Sequence, residues 1–245
     1  MIEAKLRKLQ KRRSEFLLEA VEELHDFVHT ARDDAVQYLE RYKAILAQFL
    51  QDEDLKRFHE QILEEFQKYL HRNLQKVVTL FEALNDRPRK LWVAVRRLEE
   101  PEREYRTILR VGKYSKDREV HSLDIPESTG LPQYLRQQYE RNRGIVILGP
   151  NRSAATWMST QNDALGEDRS VLIGPIMIKS GNPLTASEKR ELYMILYVNS
   201  PEENAFSTGD EYYMRCCTDV LSLFFSMASK MMEETGFGLV SQKNA

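Results

Sequence analysis

Ile195-Leu196-Tyr197-Val198-Asn199-Ser200, followed across Pro201-Glu202-Glu203 by Asn204-Ala205-Phe206-Ser207-Thr208-Gly209-Asp210-Glu211, is the stretch from which this 245-residue chain is best read. The apolar run from Leu192 to Val198 lacks polar alternation, as expected of a central strand covered on both faces. The polar loop behind it leads into a helix expected from about Gly209 to Glu233. Thr208 and Glu211 have the spacing of a capping box at its start. Val220, Leu221, Phe224, Phe225, Met227, Ala228 and Met231 supply an apolar face, and Gly236 and Gly238 end the helix.

Moving upstream, the chain keeps the texture of short strands between turn residues. Val171-Leu172-Ile173 through Ile178 reads as a second covered strand, and Ile145-Val146-Ile147 as a shorter one. Leu131 to Arg141 reads as a helix with Pro132 in its first turn, where a missing N–H does no harm. Glu119 to Ile125 is a weaker strand. Leu91 to Val95 and Tyr105 to Leu109 flank a Pro101-containing turn and read as a hairpin. Taken alone, these runs describe a mixed sheet of five or six strands with helices around it.

Before Pro88 the texture is different. All 10 glycines and all 8 prolines lie at or after that residue, so the preceding segment lacks the usual helix breakers. Leu17, Ala20, Leu24, Phe27, Ala31, Ala35, Tyr38, Tyr42, Ile45 and Phe49 recur at steps of three or four, the period of one helix face. After Asp52-Glu53-Asp54 the pattern resumes with Leu63, Phe66, Leu70, Leu74, Val77, Phe81 and Leu84, with Asp54 as the expected N-cap. Such stripes must meet each other in a hairpin or meet a second copy of the chain in a bundle. The dimer is the favoured expectation. The division expected is a helical arm over 1–88, an α/β domain over 89–235 and a tail over 236–245.

The strand, loop and helix opening from Ile195 to Glu211 resemble the corresponding part of GAF domains, small-molecule sensor modules of signalling proteins. The resemblance extends from about Lys90 to Met232. It implies an α+β fold, with an antiparallel five- or six-stranded sheet flanked by helices. Cyclic-nucleotide-binding members carry a dispersed Asn, Lys, Phe, Asp, Glu set here. Asn199, Phe206, Asp210 and Glu211 fit four of those places, but Ser200 stands where lysine is expected. That lysine would have paired with the aspartate. The resemblance therefore implies a site for a small molecule or nucleotide without naming it. In the family the pocket lies between the sheet and the segment corresponding to Leu148–Arg169. The candidate lining is Trp92, Ile145, Ile147, Arg152, Trp157, Asn162 and Asp163.

Other chemistry finds less support in the residues. His25 and His29 are four apart on a helix near Glu22 and Asp33, a spacing that can bind a metal, but no ligand from another helix is identifiable. His121 falls in the weak strand. Cys216 and Cys217 are adjacent, which suits neither a disulfide framework nor a zinc motif and fits a reducing, cytoplasmic setting. Free methionine sulfoxide reductases are GAF enzymes with cysteines in pocket loops, and here the cysteines fall in the last helix. No Ser/His/Asp set, phosphate-binding glycine loop or carboxylate pair assembles, and Gly144 to Gly149 brackets a strand. The chain is thus expected not to be an enzyme.

A net charge of −2 gives no global argument for nucleic acid, and no apolar run approaches the roughly 18–20 residues that span a bilayer. Lys5, Arg7, Lys8, Lys11, Arg12 and Arg13 read as a solvated helix end or as the juxtamembrane part of a larger membrane-linked protein. The functional expectation is a regulatory module. Its domain binds a small ligand or protein partner and couples to a dimerising arm, or it serves as a ligand-free dimerisation scaffold.

Overall fold

The computed structural model describes residues 2–52, 54–84, 90–99, 101–112, 125–128, 130–140, 146–148, 170–180 and 189–234. The chain forms two compact units, residues 1–88 and 89–245.

The first unit is a helical hairpin of α1 (Ile2–Asp52) and α2 (Leu55–Ala83). The turn between them is set by Asp54, whose side chain accepts from the Arg57 N–H at 3.0 Å and whose carbonyl accepts from the Phe58 N–H. Apolar stripes drive the pairing. Ala20, Phe27, Ala31, Tyr38 and Tyr42 of α1 are buried, as are Phe58, Ile62, Phe66, Leu70, Leu74, Val77 and Phe81 of α2. Burial of each large apolar side chain is worth about 1.5–3 kcal/mol. The two stripes meet within one chain. Leu63, expected in the α2 stripe, is instead 46% exposed, and Ile62 takes the inward place one residue earlier.

Charge fixes the hairpin register. Arg72 pairs with the buried Asp34, which also accepts from Asn73 Nδ2 at 3.3 Å. Asn73 Nδ2 donates as well to the Tyr69 carbonyl at 3.0 Å, and Lys76 pairs with Asp26 farther along. A one-turn slip would leave the Asp34 carboxylate buried without its cation, a costly arrangement.

The second unit holds β1 (Trp92–Glu99), β2 (Glu104–Gly112), β3 (Ile125–Pro126), α3 (Gly130–Glu140), β4 (Val146–Leu148), β5 (Ser170–Ser180), β6 (Lys189–Ser200) and α4 (Asp210–Glu234). Among the described residues the strands form one six-stranded sheet in the order β3-β2-β1-β6-β5-β4. Every described pairing is antiparallel, which corrects the mixed sheet read from the runs alone. Short apolar runs carry no strand direction, whereas the hairpin of β1 with β2 and the long pairing of β5 with β6 impose it. Of the expected strand from Glu119 to Ile125, only Ile125 falls within the described residues, in β3.

The sheet is covered on both faces. α4 packs on β5. A register shift between Ile176 and Met177 frees the Met177 N–H, which donates to Ser222 Oγ on α4 at 2.9 Å. Tyr193 meets Phe225 edge-on, with ring centroids 5.9 Å apart. Among the described residues, no helix is long and apolar enough to cross a membrane.

Candidate functional site

The sheet register determines which side chains share the face opposite α4. Trp92 pairs with Asn199, Ala94 with Tyr197 and Arg96 with Ile195; across β6, Val171 pairs with Asn199 and Ile173 with Tyr197. Paired residues project to the same side, so these positions form one patch. Leu131 and Leu135 of α3 join Ala94, Val171, Ile173, Ile195 and Tyr197 in a single apolar cluster.

A cation lies within this face. Arg96 is only 8% exposed, and its guanidinium carbon is 5.4 Å from the centroid of the Tyr197 ring, in cation–π range. Tyr197 is itself 6% exposed, and its buried hydroxyl has no hydrogen-bond partner among the described residues. Burial pushes the Tyr197 phenol above its ordinary range, and the Arg96 charge opposes that shift. A donor–acceptor group left this way costs about 1–3 kcal/mol, so an unmet hydroxyl beside a buried cation needs a physical reason.

α3 is held over the face by a polar clasp. Tyr105 donates its hydroxyl to the Leu192 carbonyl at 2.7 Å, and Arg136 Nη2 reaches the same hydroxyl at 3.5 Å. Glu127, at the turn into α3, accepts from both Arg103 and Arg136, while its N–H donates to the Arg103 carbonyl at 2.8 Å. Arg103 takes a left-handed φ of 54° to make this turn.

Burial raises the Glu127 pKa, but the hydrogen bonds from the two arginines outweigh it and hold the carboxyl below its ordinary value of about 4.5. The stabilisation is therefore fully present above that unfolded-state value and is lost as pH falls through the lower folded-state one. Urea unfolding followed from pH 7 downward should show stability falling below about pH 4.5, and Glu127→Gln should flatten that part of the profile.

The motif positions are occupied by backbone work. Asn199 Nδ2 donates to the Trp92 carbonyl at 3.5 Å. Ser200 Oγ accepts from the Glu202 N–H at 3.1 Å, and Ser170 Oγ from the Ala205 N–H at 3.0 Å. Asp210 Oδ2 accepts from the Ser207 N–H at 2.6 Å and from Ser207 Oγ at 3.0 Å. The acid that reaches back to an amide at the start of α4 is thus Asp210, to Ser207, one residue before the expected Thr208 and Glu211. Phe206 is buried and Glu211 half-buried. Ser200 and Asp210 each hold a chain turn, and they make no ion pair of the cyclic-nucleotide kind.

Of the candidate pocket residues, Trp92 is buried on this face, and Ile147 lies in β4 opposite Leu172. Ile145, Arg152, Trp157, Asn162 and Asp163 lie outside the described residues, as do His121 and the tail. The sequence reading did not single out Arg96, nor give Tyr197 a role in the site. The available signal was the alternation Trp92, Ala94, Arg96, which carries a charge onto the phase of a buried tryptophan.

The thiols and histidines add little chemistry. Burial pushes the Cys217 thiol well up, and burial with Asp219 pushes Cys216 up, so both stay protonated at neutral pH. His25 and His29 stack edge-on with centroids 4.2 Å apart. Among the described residues, no three His, Cys, Asp or Glu side chains gather as a metal site.

No family model matches the sequence, and no curated protein matches it. Among solved structures, the chain is similar to the GAF domain of an Acinetobacter phosphoenolpyruvate-protein phosphotransferase. Identity is 19% and the TM-score 0.44, over 65% of this chain and 83% of that one. It is also similar to a type II free methionine-R-sulfoxide reductase from Thermoplasma acidophilum, at 16% identity and a TM-score of 0.42, covering 64% and 92%. A third is the GAF domain of a two-component sensor histidine kinase from Bacillus halodurans, at 19% identity and a TM-score of 0.39, covering 59% and 84%.

Proposed function

We propose that this chain is a regulatory module whose sheet domain binds a small anionic ligand on the face lined by Trp92, Arg96, Tyr197 and Asn199, and whose helical arm forms a homodimer that responds to it. The observation that carries the reading is the Tyr197 hydroxyl, buried and without a hydrogen-bond partner among the described residues, on a ring that the Arg96 guanidinium overlies. A carboxylate or phosphate there would accept from both groups, and charge-assisted bonds of this kind are the strong ones. The flanking Trp92 ring would favour a ligand with a flat or apolar part. The thiols, held protonated at neutral pH, give no support to nucleophilic chemistry.

Such a site trades stability for binding. Tyr197→Phe should raise the unfolding temperature of the unliganded protein by a few degrees, since it removes an unmet buried hydroxyl worth about 1–3 kcal/mol. The same variant should bind ligand about tenfold less tightly. Arg96→Met keeps the volume without the charge and should abolish binding while leaving the fold intact.

The test is thermal unfolding of the full chain against small carboxylates, phosphates and their uncharged amides and esters. An anion at about 100 times its dissociation constant should add about 2.7 kcal/mol. Stabilisation that survives Arg96→Met would refute the assigned face. No stabilisation by any compound, with Tyr197→Phe no more stable than the parent, would favour a scaffold without ligand.

A further inference from the structure

The helical arm contains a second feature, separate from the sheet face. α1 has 51 residues and α2 has 29, and the two are joined by a short turn at the carboxyl end of α1. The difference in length therefore falls at the amino end of α1. The contacts agree: Asp26 pairs with Lys76, close to the end of α2, and Ala20 is the first buried residue on α1 among its described side chains. The amino part of α1 continues as helix beyond the reach of its hairpin partner.

Charge in that part is sorted into two blocks. Lys5, Arg7, Lys8, Lys11, Arg12 and Arg13 come first, with Glu3 as the sole acid among them. Glu15, Glu19, Glu22, Glu23 and Asp26 follow, and no lysine or arginine interrupts them. The second block also carries exposed apolar side chains: Leu18 is 60%, Val21 55% and Val28 41% exposed. In the first block Ile2, Leu6 and Leu9 recur at helical spacing.

A helix charged in this way repels a parallel copy and attracts an antiparallel one. Side by side and head to tail, with the two-fold axis near Ser14, the basic block of each copy lies along the acidic block of the other. Both sets of opposite charges meet at once, as an isologous interface requires. With residue n level with residue 28 − n of the partner, the exposed Leu18 and Val21 come level, to within one residue, with the partner's Leu9 and Leu6 instead of water.

We infer that the amino part of α1, from about Lys5 to Glu23, is an antiparallel self-docking surface whose occupant is the same segment of a second copy of this chain. The inference rests on the dimeric arm proposed above and gives it an orientation and a location.

Sedimentation of the full chain at micromolar concentration should give a dimer at low salt. Raising the salt from about 0.05 to 0.5 M should weaken it by about tenfold or more, because such exposed charges are screened. The triple variant Lys8→Glu, Lys11→Glu, Arg12→Glu should be monomeric, as should Glu19→Lys, Glu22→Lys, Glu23→Lys. All six changes in one chain should restore the dimer, with circular dichroism confirming that each variant is folded.

Orientation is read by cross-linking. Chains carrying Lys8→Cys should join chains carrying Glu22→Cys. A Lys8→Cys chain that instead couples to itself, or a dimer indifferent to salt and charge reversal, overturns the antiparallel surface but leaves a dimeric arm standing. A monomer at every salt concentration overturns both, and the ligand-binding test of the sheet domain is unaffected. A monomer that sediments with phosphatidylserine vesicles and loses this with Lys8→Glu, Lys11→Glu, Arg12→Glu assigns the basic block to a membrane and overturns self-docking.

Discussion

Gly112→Ala should destabilise the sheet domain by about 2–4 kcal/mol, lowering its unfolding midpoint by several degrees or more. Two costs combine. Gly112 has φ of +105°, a backbone conformation that L side chains rarely adopt. A Cβ built there would also lie 2.6 Å from the Leu91 carbonyl oxygen and 3.0 Å from the Trp92 Cα. Both atoms belong to backbone, so no side chain can swing away, and relief requires β2 to part from β1 where Gly112 pairs with Trp92.

The consequence reaches the proposed site, because Trp92 opens the row of Trp92, Ala94 and Arg96. The variant should therefore lose ligand affinity as well as stability. Gly209→Ala is the internal control: among the described residues its added Cβ meets only Ser207 Oγ, at 3.5 Å, which is ordinary contact. That variant should unfold with the parent to within about 0.5 kcal/mol. Equal unfolding midpoints for Gly112→Ala and the parent in calorimetry would show that the close approach of Leu91 and Gly112 is wrong.

What the sequence disclosed depended on how local its causes were. Asp54 was legible as a cap because an acid at that offset from an apolar stripe has few other uses, and the strands were legible because their apolar runs are bounded by turn residues. The capping pair at α4 was misplaced by one residue, since Ser207 and Thr208 both precede acids at the same spacing, Asp210 and Glu211. Only the backbone geometry decides which acid reaches back. Leu63 and Ile62 posed the same problem within α2, because adjacent apolar residues share a stripe until a neighbouring helix fixes the phase.

Arg96 and Tyr197 were hidden for a different reason. Tyr197 lies in a run so apolar that neither face could be told apart, and Arg96 follows the run ending at Val95, where a charge reads as the strand leaving the core. Their meeting comes from the pairing of β1 with β6, which joins residues about a hundred positions apart. Nothing periodic in either strand encodes that register.

The phase of α2 yields the other large effect. Leu74 is wholly buried, and Leu74→Ala removes a side chain from the seam between α1 and α2, with a cost of about 2–5 kcal/mol where the cavity cannot collapse. Amide exchange of α2 should quicken by about thirtyfold or more if it proceeds through opening of the hairpin. Leu63→Ala, at a position 46% exposed, should change exchange hardly at all. A periodicity argument alone places both leucines in one stripe and expects comparable losses, so the pair of variants tests the structure against the pattern.

Dilution adds a second discrimination. The seam at Leu74 is formed within one chain, so the protection of α2 around it should stay constant when the protein is diluted a hundredfold. A seam shared between two copies would weaken on dilution by mass action. Amides near Leu18 and Val21 answer to the proposed self-docking surface and should lose protection as the dimer dissociates. Concentration-independent protection near Leu74 together with concentration-dependent protection near Val21 would place the hairpin and the dimer contact on separate parts of the arm. Loss of both together on dilution would mean that α2 needs a second copy to hold its register, against the intrachain pairing of Arg72 with Asp34.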